Sequence, residues 1–154
     1  CGHCSNFHIK TLPQLKKKYI DTGKVQLEFI DYPLDRLAVI AATLARSIPT
    51  KDGYIEAVSI LLKKQKQWAY SKNPLNELQS IAKLFGISSK KFNDISQNIP
   101  LMQEIVTKME EESKNFDINS TPTFIVNDKY KISGALSFKD FEKELLKSIN
   151  AKKS

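Results

Sequence analysis

Two cysteines open the chain, Cys1 and Cys4, separated only by Gly2 and His3. Sulfurs at that spacing can close a small disulfide ring, and at the start of a helix they form a redox pair rather than a staple. Phe7, Leu12, Leu15 and Tyr19 recur at helical intervals with Lys10 and Lys16 to Lys18 between them, which predicts a helix over residues 5–19. Cys1 then lies at the helix N-terminus, where unpaired N–H groups and the macrodipole favour a negative sulfur. Cys4 follows one turn further in and is more sheltered. An exposed acidic thiol beside a protected one suits thiol–disulfide exchange, so Cys1 and Cys4 are the candidate catalytic residues. His3, between them, is a candidate for electrostatic support of the Cys1 thiolate.

The same residues admit a blander reading. Zinc half-sites also use Cys-x-x-Cys, and His3 and His8 stand nearby. Structural zinc usually draws its ligands from two separated pairs, whereas the chain has no third cysteine and no third histidine. No metal site and no cofactor other than the Cys1–Cys4 disulfide itself is therefore assigned, and a small zinc module remains the competing reading.

The elements that must position this pair follow in order. Val25, Leu27 and Phe29 alternate with Gln26 and Glu28, which predicts a strand over residues 24–30, closed by Asp31-Tyr32-Pro33. From Leu34 to about Asn119 only helical periods occur. Leu37, Ile40, Ala41 and Leu44 form one stripe, ending before Pro49. A second helix is expected over residues 53–70, and a third over 75–85 before Gly86, a natural C-cap. Ser88 and Ser89 can cap a short helix carrying Phe92 and Ile95, and Pro100 starts a long one through Ile105, Met109 and Phe116. The Met and aromatic positions fall at core spacing.

The pattern changes at Ser120. Thr121 to Val126 is β-branched and apolar, Asn127-Asp128 makes a turn, and Lys129 to Ile132 returns, so a hairpin is expected. Gly134 ends it. Ser137, with Asp140 three residues on, caps a last helix whose inner face is Phe138, Phe141, Leu145 and Ile149; residues 151–154 should fray.

With 154 residues, 41% hydrophobic and 27% charged, the chain has the composition of a soluble globular protein. No apolar run approaches the roughly 18 residues of a membrane span. The formal net charge of +7 comes from lysines scattered over most helices, without the aromatic interleaving of a nucleic-acid surface, so no specific nucleic-acid partner is expected.

In order, the chain reads as redox helix, strand, helical block, hairpin and helix. It resembles the DsbA-like thiol:disulfide oxidoreductases of bacteria, with a thioredoxin-like fold. The resemblance rests on Cys1-Gly2-His3-Cys4, the strand exit from Phe29 to Asp35, Thr121-Pro122-Thr123-Phe124 and the turn Ile132-Ser133-Gly134. The fold class it implies is α/β: a discontinuous thioredoxin-like domain (1–31 and 119–150) interrupted by an all-helical domain (32–118). The strand order of that fold puts a central first strand just upstream of Cys1. None is in the chain, so the sequence is expected to be a piece of a parent that also carries that strand and an export signal.

The resemblance further implies a cis Thr121–Pro122 bond facing the cysteine pair, with Thr121 and Pro122 binding an extended substrate segment. It implies a periplasmic or cell-envelope oxidase that introduces disulfides into exported cysteine-containing proteins. A membrane quinone-linked thiol oxidase would accept its electrons. Gly2-His3 stands where the better-known oxidases carry Pro-His, and Thr121 where many carry Val. An isomerase or reductase of the same fold, or a redox-inactive thioredoxin-like binding module, therefore stays open.

Overall fold

The computed structural model describes residues 1–153. The chain divides into two compact units, one formed by residues 1–29 and 112–154 and the other by residues 30–111. The sequence reading placed the changes at 31/32 and 118/119.

In the first unit the helical run starts earlier than expected, at Gly2. It comprises α1 (Gly2–Asn6), a π-helical turn (Phe7–Thr11), α2 (Leu12–Leu15) and a second π-helical turn (Lys16–Ile20). Pro13 has no N–H to give to the carbonyl four residues back, and the run relaxes just ahead of it: the Leu12 N–H reaches back to the Phe7 carbonyl. One face of the run still collects Phe7, Leu12, Leu15 and Tyr19. These pack with Ile132 of the hairpin and with Phe141 and Leu145 of the last helix.

The hairpin forms as expected. Strands β1 (Thr123–Val126) and β2 (Tyr130–Ser133) pair antiparallel, with Phe124 opposite Ile132 and Val126 opposite Tyr130. Asn127 and Asp128 both take positive φ (53° and 59°), the geometry of a turn that follows strand twist and that Asn and Asp tolerate. Gly134, at φ 89°, ends β2, and Ser137 accepts the Asp140 N–H at 3.2 Å to start α9 (Phe138–Lys153). The tail expected to fray is thus helical through Lys153, and Ser154 lies outside the described residues.

The strand expected over Lys24–Ile30 is corrected. The segment is extended and keeps its alternation, with Val25, Leu27 and Phe29 half-buried against the core and Gln26 and Glu28 exposed. It joins no ladder, because among the described residues the only sheet is β1–β2. Side-chain alternation makes a residue pattern extended; only a neighbour's N–H and C=O groups make it a strand.

The second unit is helical: α3 (Arg36–Arg46), α4 (Lys51–Lys63), α5 (Gln65–Ala69), α6 (Pro74–Leu84) and α7 (Ser89–Ile95), with most of α8 (Ile99–Phe116). Side chains cap the starts of four of these: Asp35 accepts from the Ala38 N–H, Thr50 from Gly53, Ser88 from Lys91 and Asn98 from Leu101. The single helix expected over 53–70 is two. Trp68 is buried and donates its indole N–H to the Leu61 carbonyl at 2.9 Å, satisfying an end of α4 and folding α5 back beneath it. Leu44, Leu78, Ile81 and Phe92 are almost fully enclosed in this unit. Asp31, the residue that ends the extended segment, is held by Arg46 at 2.6 Å and by the Tyr54 hydroxyl at 3.1 Å, while the Arg46 guanidinium stacks 3.9 Å from the Tyr54 ring.

Candidate active site

Cys1 is the N-cap of α1. Its sulfur accepts the Cys4 backbone N–H at 3.2 Å, the role a Ser or Asp oxygen plays at other helix starts. The Cys4 sulfur lies immediately beside it, and both cysteines are free thiols. A second donor comes from the other end of the unit: the Thr121 hydroxyl lies 3.2 Å from the Cys1 sulfur. The Thr121 carbonyl is also close, 3.6 Å away, and takes the S–H when Cys1 is protonated. Two donors therefore stand ready for a negative Cys1 sulfur and one acceptor for its neutral form. Hydrogen bonds to the charged form favour it.

Cys4 is in the opposite situation. Burial pushes its thiol above the ordinary value, and the nearby Thr121 hydroxyl only partly offsets this. Both cysteines are half-buried, so Cys1 is less exposed than the sequence spacing suggests.

Thr121 reaches Cys1 because of the hairpin it precedes. The Thr121–Pro122 bond is cis. The Gly134 N–H donates to the Pro122 carbonyl at 2.9 Å, tying the far end of β2 back to this bend. Phe124, two residues beyond Pro122, stacks on Phe7 with ring centroids 4.6 Å apart and meets Phe141 edge-on at 4.8 Å. A further tie joins the π-helical turn after α1 to the loop following β2: Thr11 is buried and donates to the Leu136 carbonyl at 3.1 Å.

The structure therefore brings together Cys1, Cys4 and Thr121, with Pro122 adjoining. It does not bring His3 to the sulfurs. His3 is exposed on the outer side of the turn, so any influence it has on Cys1 passes through the field rather than through contact. His8 is buried and packs against Phe7 and Phe29 at centroid distances of 5.9 and 5.3 Å. Among the described residues no group of three His, Cys, Asp or Glu side chains is placed to hold a metal ion. Sequence reasoning missed the Thr11–Leu136 tie and the π-helical turns. Pro13, inside an otherwise regular helical pattern, was the available signal for the latter.

A family model described as thioredoxin matches residues 1–147. The chain belongs to the thioredoxin family. Within it the chain is DsbA-like: the crystal structure of Wolbachia pipientis alpha-DsbA1 superimposes with a TM-score of 0.85 at 29% identity, over 96% of this chain and 79% of that one. A Rickettsia typhi relative, provisionally named a protein-disulfide oxidoreductase, is 31% identical over 127 residues, 82% of this chain and 47% of its own length. The thiol:disulfide interchange protein DsbA of Buchnera aphidicola is 25% identical over 139 residues, 86% of this chain and 63% of its own length. The DsbA-like chain thus spans about half the length of the Rickettsia relative it matches.

Proposed function

We propose that the protein is a thiol:disulfide oxidoreductase acting as an oxidase of exported, cysteine-containing proteins in a bacterial cell envelope. The observation that carries this reading is the pair of donors, the Cys4 N–H and the Thr121 hydroxyl, converging on a Cys1 sulfur that has the Cys4 sulfur beside it. In the oxidised form, Cys1 and Cys4 share a disulfide. A substrate thiolate attacks the Cys1 sulfur, the Cys1–Cys4 bond breaks, and Cys4 leaves as a thiolate that takes a proton from water. A second substrate thiolate then attacks the substrate's own sulfur in the mixed disulfide. A disulfide forms within the substrate, and Cys1 leaves as a thiolate held by the Cys4 N–H and the Thr121 hydroxyl. Two electrons have passed from substrate to the pair. A membrane quinone-linked thiol oxidase is the proposed acceptor that removes them. Among the described residues no helix is long and apolar enough to cross a membrane.

The test uses a reduced dithiol peptide, with its oxidation followed by mass. The oxidised chain should convert it stoichiometrically. Cys1→Ser should abolish the reaction, and Cys4→Ser should accumulate the mixed disulfide on Cys1. Equilibration with glutathione decides the direction: an oxidase requires a potential above the roughly −270 mV of thioredoxin. A lower value assigns the pair to reduction instead.

A further inference from the structure

The first helical run is basic and has no acid of its own. Residues 1–20 hold four lysines and two histidines, and the first carboxylate is Asp21. The structure divides these lysines into two sets. Lys16 is paired with Asp21 at 2.7 Å and Lys18 with Glu142 at 2.6 Å. Lys10 and Lys17 are exposed and have no ion-pair partner among the described residues. They share the outer side of the run with exposed His3, Asn6 and Gln14, and Ile9 lies 46% exposed among them. The strip begins at His3, which stands between the two cysteines in the sequence.

We propose that this unpaired strip receives an acidic segment of the polypeptide whose cysteine is joined to Cys1, and so sets which thiols exchange fastest. The proposal rests on the thiol-exchange reading. A polypeptide bonded to Cys1 must run across the surface beside it, and the direction along the helix offers it cations whose charge nothing else answers. Lys10 is nine residues from Cys1, about 13 Å at a helical rise of 1.5 Å per residue. An extended peptide covers that in about four residues at 3.3 Å each. Long helical side chains lean toward the N-terminus, which brings the Lys10 ammonium nearer the sulfurs. Ile9 gives such a segment an apolar contact beside the charges. Complementary charge across an encounter surface acts chiefly on the association rate and fades with salt.

The test uses the Cys4→Ser chain and peptides whose one cysteine is activated as a mixed disulfide with thionitrobenzoate. Cys1 attacks the peptide sulfur, the aryl thiolate leaves, and its colour gives the rate. The peptides carry Asp, Ser or Lys four residues from the cysteine on either side. The Asp peptide should react about fivefold faster than the Lys peptide at low salt, with the ratio closing toward one near 1 M salt, where screening is complete within about 3 Å. Joint Lys10→Gln and Lys17→Gln replacement should collapse the ratio, whereas Lys147→Gln, an exposed lysine on α9, should leave it intact. Equal rates in the starting chain, or a ratio that survives the double replacement, overturns the proposal. If no peptide reacts faster than with free cysteine, the thiol-exchange reading fails separately. The same peptides with Ser for Cys then judge the strip by NMR: the Asp peptide should shift the Lys10 and Lys17 amides, and its failure to do so refutes the docking surface.

Discussion

Replacing Thr121 by Val tests the long-range part of the site. Val keeps the branched shape beside Pro122 and removes only the hydroxyl that lies 3.2 Å from the Cys1 sulfur. A hydrogen bond to a charged group contributes about 1.5–3 kcal/mol; a diffuse sulfur acceptor in a half-exposed site should fall nearer the neutral figure of about 1 kcal/mol. That amount disfavours the Cys1 thiolate by a factor of about five. Alkylation of Cys1 below the midpoint of its pH profile should slow by the same factor. The reduced state loses support while the disulfide loses little, so the potential should fall by about 20 mV, taking 30 mV for each 1.4 kcal/mol. The hydroxyl also restrains the upward shift of Cys4, and its loss pushes that thiol further up, in the same direction for the potential. The assay pairs iodoacetamide kinetics, read by mass on each cysteine, with glutathione equilibration. Unchanged alkylation, or a potential that rises, would refute the assignment and leave the helix start as the sole support of the Cys1 thiolate.

His3→Ala should lower the potential by less than about 15 mV and lose that effect in high salt, because an exposed ring acts only through a screened field; a larger, salt-insensitive drop would mean direct contact with the sulfur. Leu15→Ala, at a side chain 1% exposed beneath the active-site helix, should cost about 3 kcal/mol or more in urea unfolding, and a loss under about 1 kcal/mol would contradict the packing. Stability should also decline in alkali. The Cys4 thiol and the Tyr54 hydroxyl are both raised above their ordinary values, chiefly by burial and for Tyr54 also by Asp31. Their contributions are complete below the unfolded-state values and are lost as pH climbs through the raised ones. Tyr54→Phe should remove part of this slope, and an unchanged pH profile would count against it.

What was legible in the sequence was what a short stretch of chain decides. The Ser88 cap, the Asn127-Asp128 hairpin turn and the Ser137 helix start each depend on residues within a few positions, and the structure has all three. What was misread depends on partners far along the chain. Residues 24–30 alternate as a strand does, yet they have no ladder, since nothing in the alternation says whether a neighbour is present. The division of α4 from α5 depends on where one indole N–H finds a carbonyl, which helical periodicity does not encode. The Thr121 hydroxyl on Cys1 spans 120 residues, and resemblance to a family, not spacing, placed the two together.

That contact is nevertheless held within a closed circuit of hydrogen bonds. From Cys1 the helical run leads to Thr11, whose hydroxyl binds the Leu136 carbonyl. Two residues back, the Gly134 N–H binds the Pro122 carbonyl, and the residue before Pro122 returns its hydroxyl to Cys1. Each bond alone is worth about 1 kcal/mol, too little to fix a sulfur against thermal motion. Bonds arranged in a ring support one another, and the Phe7, Phe124 and Phe141 rings, packed on each other, hold the same helical run, hairpin and last helix together. Thr11 stands four residues from both Phe7 and Leu15, on the inward face of the run, and its hydroxyl ties that face to the loop following β2.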